Sequence, residues 1–253
     1  MSLIRSESGQ YELADDGAYI VRDYLNAAPF SSFLPGIAGV WGIPLWAYYV
    51  NRGQGIACFG TQDKDHAIAP FESAKLHQHR VSQEGFRTLL ALRAAGGERR
   101  FHEPFRRDTT AADLATEMVC RPHELEIRED NPEQGLTTRV VYTTLSNRPY
   151  AALVRCMTLT NTGTVAVDVE LLDGAVRFLP YGTAFQLLQN LPFITEGYLQ
   201  VHGLEANLPY ATLKALASDS SETQQLQAGN FFFGLSSRDP SRPLPAFVDL
   251  ERI

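Results

Sequence analysis

The feature that most constrains this chain is a period-two alternation of apolar and polar residues, in short runs that glycine, proline, asparagine or aspartate repeatedly closes. In 165–171, Val165, Val167, Val169 and Leu171 alternate with Ala166, Asp168 and Glu170, directly after Asn161, Thr162 and Gly163. Successive side chains of a strand leave opposite faces, so this row lines one side of an extended segment. The turn residues before it predict a hairpin. Similar runs occupy 45–50, 54–59, 86–92, 124–128, 138–145, 150–160, 198–202 and 230–235. Turns recur at roughly the spacing of a large antiparallel sandwich, and no βαβ rhythm competes. The candidate helices, Thr110–Met118 and Gly182–Leu188, are too short to cover a parallel sheet. The expected fold is therefore all-β, an antiparallel sandwich with few short helices.

A chain of 253 residues with 44% hydrophobic and 20% charged side chains can bury a sizeable core. No internal repeat or long linker divides it, which predicts a single domain over 1–253. The loop at 26–44 combines three prolines with many large apolar side chains and is expected to pack, ordered, on the sheet. No apolar run reaches the length of a spanning helix, so no membrane partner is expected. The opening MSLIRSESG lacks the features of a secretory signal, which points to a cytoplasmic location. A formal charge of -7 without a basic run argues against nucleic acid. Cys58, Cys120 and Cys156 are far apart and set among apolar neighbours, so they read as buried thiols. The extended apolar ending, Phe247–Ile253, suggests a parent protein that continues.

Sugar-binding surfaces need a flat apolar face for the C–H side of a pyranose and planar polar groups for its hydroxyls. Residues 41–54 supply both: Trp41, Trp46, Tyr48 and Tyr49 lead into Asn51, Arg52 and Gln54. Alternation places Trp46 and Tyr48 on the face opposite Tyr49. Trp46, Tyr48, Asn51, Arg52 and Gln54 are thus the candidate substrate-binding residues; the competing reading is a core strand followed by a turn. His77 and His79 stand two apart and would share one face of a strand, but a third ligand is not evident, so no metal is expected. Glu84 and Arg87 could present an acid and a cation in a cleft, or form a surface pair. Among the carboxylates, Asp173, Glu170 and Glu196 could be nominated for glycoside chemistry, yet nothing marks any two as facing one substrate. GxSxG, GxxxxGK[ST] and HExxH are absent, so no catalytic residue is assigned and no cofactor is expected.

The segment NAAPFSSFLPGIAGVWGIPLW, then YYVNRGQGIACFG, GFRTLLAL and the long stretch VVYTTLSNRPYAALVRCMTLTNTGTVAVDVELLDGAVRFLPYG, resembles the N-terminal region of cellobiose-phosphorylase-like proteins of glycoside hydrolase family 94. The resemblance runs over most of the chain and lies in fold-type patterns. It implies a β-supersandwich of the galactose-mutarotase-like type, followed in the parent protein by an α/α barrel that carries the proton-donating acid. This chain would then be a non-catalytic, carbohydrate-associated scaffold for that barrel, with an oligosaccharide or sugar as a possible ligand and a homodimer as the parent assembly. The pattern around Trp41–Gly53 departs from that of a strict cellobiose phosphorylase, which leaves the disaccharide open. Two alternatives stand beside it: a free-standing carbohydrate-binding module, and a mutarotase-type epimerase, which would need a glutamate with histidine partners in a concave face.

Overall fold

The computed structural model describes residues 4–6, 9–34, 44–107, 114–190, 197–214, 226 and 228–249. Its strands begin with β1 Ile4–Ser6, β2 Gly9–Leu13, β3 Tyr19–Arg22, β4 Ser31–Leu34, β5 Leu45–Val50, β6 Ile56–Thr61 and β7 Ala67–Ala69. Helix α1 Ala74–Glu84 precedes β8 Phe86–Ala94, β9 Arg99–His102, β10 Ala115–Cys120, β11 Glu124–Asn131, β12 Leu136–Thr144, β13 Leu153–Asn161 and β14 Val167–Ala175. Helix α2 Phe185–Asn190 is followed by β15 Leu199–His202, β16 Tyr210–Leu213, β17 Asn230–Phe231, β18 Leu235–Ser236 and β19 Asp239–Pro243. The described strand pairs are antiparallel, and the protein is all-β in character.

The chain forms two compact units, Met1–Cys58 with Glu72–Val176, and Phe59–Phe71 with Arg177–Ile253. In the first, a seven-stranded sheet of order β1-β2-β3-β10-β11-β12-β13 accompanies a three-stranded sheet of order β14-β8-β9. The two pack as a sandwich: Leu90 and Leu92 of β8 meet Leu136 of β12, and Leu159 and Val167 close the border. The alternation explains this directly. Leu125, Ile127, Glu129 and Asn131 of β11, and Leu136, Thr138, Val140 and Tyr142 of β12, all point inward, and burial of each large apolar side chain contributes about 1.5–3 kcal/mol. In the second unit, β15-β16-β17 form a small sheet and β18 pairs with β19. There Phe59 lies opposite Ala69, Asp65 accepts the Phe185 amide at 2.9 Å, and Phe178 meets Phe232 edge-on at 5.5 Å.

Several expectations are corrected. The turn at Asn161–Gly163 is not a hairpin but a crossing between sheets, since β13 pairs with β12 whereas β14 pairs with β8. Asn161 Oδ1 accepts the Gly163 amide at 2.9 Å and its Nδ2 donates to the Val165 carbonyl at 2.8 Å. Turn chemistry reports a change of direction, and carries no information on which strand comes next. Of the helix expected at Thr110–Met118, residues 110–113 lie outside the described residues, Leu114 precedes β10, and Ala115–Met118 belong to that strand. There Met118 sits between Val21 and Ile127, and pairing on both edges overrides a modest local helix preference. The helix near Gly182–Leu188 exists as α2. The 26–44 loop contains strand β4, with 35–43 outside the described residues.

Helix α1 replaces the strand expected around His77 and His79. Ser73 caps it and Gly85 ends it. Two residues apart on a helix are not neighbours on one face. His77 is accordingly buried, its Nε2 accepting the Glu72 amide at 3.1 Å, while His79 is exposed. Of the three cysteines only Cys58 is fully buried; Cys156 is exposed because β13 is a sheet edge and residue 156 falls on its outer face.

On the outer face of the large sheet, Arg139 grips Glu126 with two bonds of 2.7 Å. The Arg139 bonds, helped by the Arg121 charge, hold the Glu126 carboxyl below its ordinary range. A depressed carboxyl contributes stability that is present above the unfolded glutamate value of about 4.3 and lost as pH falls through the lower folded value. Urea titrations at a series of acid pH values are therefore expected to show a steeper acid loss in the wild type than in Glu126→Gln. Identical slopes would remove this pair from the acid response.

Candidate functional site

Strand β5 alternates as expected. Leu45, Ala47 and Tyr49 are buried, whereas Trp46 and Tyr48 are half-buried on the opposite face. Pairing of β4 with β5 places Phe33 directly opposite Tyr48, with ring centroids 5.0 Å apart and planes tilted by 59°. Phe33 is 51% exposed, so the pair presents aromatic surface to solvent. The His77 ring from α1 lies 5.7 Å from that of Tyr48 and flanks the row. Phe33, Tyr48 and Trp46 thus share a face, while Trp41 lies outside the described residues.

Asn51 and Arg52 turn the other way and are buried. Asn51 Oδ1 accepts the Phe30 amide at 2.7 Å, and its Nδ2 donates to the carbonyls of Ala28 at 2.9 Å and Tyr24 at 3.2 Å. Arg52 donates from Nη1 to the Asn51 carbonyl at 2.6 Å and from Nη2 to that of Ala27 at 3.0 Å. Tyr24 returns a bond from its hydroxyl to the Gly53 carbonyl at 2.5 Å. The β5–β6 turn therefore clasps the 24–30 segment and satisfies carbonyls that water does not reach. Gly53 is required there: its φ is +50°, and a Cβ would come 2.9 Å from the Ser82 backbone of α1.

Gln54 belongs to a different cluster, centred on Arg155. From β13, Arg155 donates through Nε to the Tyr142 hydroxyl at 3.2 Å, through Nη2 to Gln54 Oε1 at 2.5 Å and Thr88 Oγ1 at 3.1 Å, and through Nη1 to Asp173 Oδ2. Thr88 donates to Asp173 Oδ1 at 2.6 Å and accepts from Gln54 Nε2 at 3.0 Å. The guanidinium also lies 5.5 Å from the Phe86 ring centroid and 5.8 Å from that of Tyr142. Burial alone would lower the arginine pKa, but the Tyr142 and Asp173 partners outweigh it and raise it. Burial pushes the Tyr142 phenol up to about 12. Every nitrogen of the guanidinium is thus engaged, and the bond to Asp173 is a charge-assisted one.

The nominated acids are likewise committed. Both Asp173 oxygens accept bonds within this cluster, and Glu170 pairs with Arg99. Glu84 lies 3.8 Å from Arg80, and Arg87 holds Glu103 through bonds of 2.6 and 2.8 Å. Glu196 lies outside the described residues. Sequence reasoning missed Phe33, Thr88 and Arg155. Arg155 did leave a signal, since it occupies an inward position in the alternation Leu153, Arg155, Met157, Leu159, where a lone charge needs partners. No family model matches the chain, and no curated protein matches it.

Arg52→Ala leaves the Tyr24 and Ala27 carbonyls without this donor, and is expected to lower stability in urea titration by about 2–4 kcal/mol. Trp46→Phe, on the half-exposed face, is expected to cost less than about 1.5 kcal/mol. A neutral Arg52→Ala would contradict the clasp.

Proposed function

We propose that this chain is a non-catalytic, carbohydrate-associated β-sandwich that serves as scaffold for a separate catalytic barrel, as its resemblance to the N-terminal region of glycoside hydrolase family 94 proteins implies. The observation that carries the reading is the Phe33–Tyr48–Trp46 row, partly open to solvent on the outer face of β4 and β5. Aromatic faces of this kind stack on the apolar side of a pyranose ring. On this reading Trp46 and Tyr48 border a sugar, while Asn51, Arg52 and Gln54 hold the strand that carries them.

Support for the scaffold part comes from edge strand β14. Val169 and Leu171 lie opposite Leu92 and Leu90 and so face the core side, yet they are 41% and 45% exposed. An apolar border left open in this way suits coverage by the barrel or by a second copy in the parent protein. The galactose-mutarotase-like form of the sandwich belongs to the same proposal. A mutarotase-type reading is less well supported, because the Glu129–His102 pair, held at 2.8 Å, is buried instead of lining a concave face.

Calorimetric titration with cellobiose and longer cello-oligosaccharides tests the reading. Weak binding is expected, reduced about tenfold by Tyr48→Ala with the circular dichroism spectrum retained. Cellobiose with phosphate is expected to give no glucose 1-phosphate. Phosphorolysis lost on Asp173→Asn, or sugar binding indifferent to Tyr48→Ala, would overturn it.

A further inference from the structure

Away from the aromatic row, the first unit has a small polar depression of about 110 Å³, lined among others by Asp23, Asn26, Arg106, Arg107 and Thr116. Two hydrogen-bonded loops contribute to its lining. The first is the 103–107 segment, held by a buried acid: Glu129 of β11 is 1% exposed, accepts from His102 Nε2 through Oε1 at 2.8 Å, and accepts the Phe105 amide through Oε2. Phe105 is itself buried and has φ +65°, a conformation that costs a phenylalanine free energy and persists only where its surroundings fix it. That fixed backbone delivers Arg106 and Arg107 to the rim. The second is the Asp23 turn. Asp23 has φ +50°, donates its amide to the Thr116 carbonyl at 2.6 Å, and accepts the Asn26 side chain at 2.9 Å through Oδ1. Arg107 joins the two loops through Nε to Asn26 Oδ1 at 3.3 Å.

Thr116 supplies the independent observation. It faces inward on β10, cross-strand from Glu129, and is only 7% exposed, yet its Oγ1 is buried with no hydrogen-bond partner. An orphaned hydroxyl is costly, and Thr116 is one of the residues that line the depression together with Arg106 and Arg107. Asp23 offsets one of these charges, and Arg106 also bonds Glu103 at 3.1 Å. Burial, and to a lesser extent the Arg107 charge, lower the Arg52 pKa, so Arg107 acts on the buried Arg52 as a like charge.

We infer that this depression binds a small tetrahedral oxyanion, with Arg107 and Arg106 as its cations and Thr116 Oγ1 as a buried donor. The geometry favours an oxyanion over a neutral polyol because two arginines and a threonine line the depression while, among the described residues, its one lining carboxylate, Asp23, is already bonded to Asn26. The inference is independent of the sugar-binding proposal, since it shares no residue with the aromatic row.

Inorganic phosphate is the probe, titrated by calorimetry at constant ionic strength, with sulfate and acetate in parallel. Phosphate and sulfate are expected to bind at a single site, acetate more weakly, and chloride at matched ionic strength to give no heat. Arg107→Gln and Thr116→Val are each expected to weaken phosphate about tenfold. Asp23→Asn, which keeps the Oδ1 acceptor and suits a positive φ, is expected to strengthen it severalfold. Opposite signs from two substitutions on the same depression would not arise from general loosening of the fold. Wild-type heats reproduced by chloride, or equal phosphate affinity in wild type, Arg107→Gln and Asp23→Asn, would overturn the site.

Discussion

The sandwich of the first unit depends on one buried charge. Arg155 enters from β13, and its partners come from the turn before β6, from β8, from β12 and from β14. It therefore ties the edge of the seven-stranded sheet to the three-stranded sheet at a level where apolar contacts thin out and β14 is already half exposed. A guanidinium in that position is tolerable only when each nitrogen finds a partner, because an unpaired buried charge costs several kcal/mol. Its fork geometry reaches a phenol, an amide, a hydroxyl and a carboxylate at once, which an ammonium group would not.

The same logic recurs at two other buried polar groups. Asn51 and Arg52 close backbone carbonyls of the 24–30 segment, and Glu129 closes the Phe105 amide and the His102 ring. In each case a polar side chain sits at an inward position and stabilises an irregular segment that strand pairing alone would not order. The consequence for the structure is a division of labour. Interior polar groups fix the loops, and the surfaces open to solvent include an aromatic row on β4 and β5 and a polar depression beside the Asp23 turn.

Much of the fold was legible because alternation is a direct imprint of strand geometry. β5, β8, β11, β12, β13 and β14 all appear where inward and outward residues alternate. The exceptions have physical causes. Helix α1 escaped because its buried stripe is only His77 and Val81, too sparse to register as amphipathic against a largely polar segment. β10 was misread because Ala115, Thr116, Glu117 and Met118 carry no strand signal of their own and are held by neighbours far away in sequence. The site was legible in part. Trp46 and Tyr48 occupy the expected outward face, but Asn51, Arg52 and Gln54 lie inward, since proximity along the chain does not carry a side chain round a turn to the same surface. Phe33 reaches Tyr48 through a strand register that local sequence does not encode.

The most direct test of this architecture is a double-mutant cycle between Arg155 and Asp173, using Arg155→Met and Asp173→Asn with stability read by urea unfolding. Asp173→Asn strips the buried Arg155 of its carboxylate and Arg155→Met leaves the partly exposed Asp173 without its cation, so the double variant is expected to be far less damaging than the sum of the two, with a coupling above about 2 kcal/mol. Additive losses, with coupling near zero, would contradict a sandwich held together through Arg155.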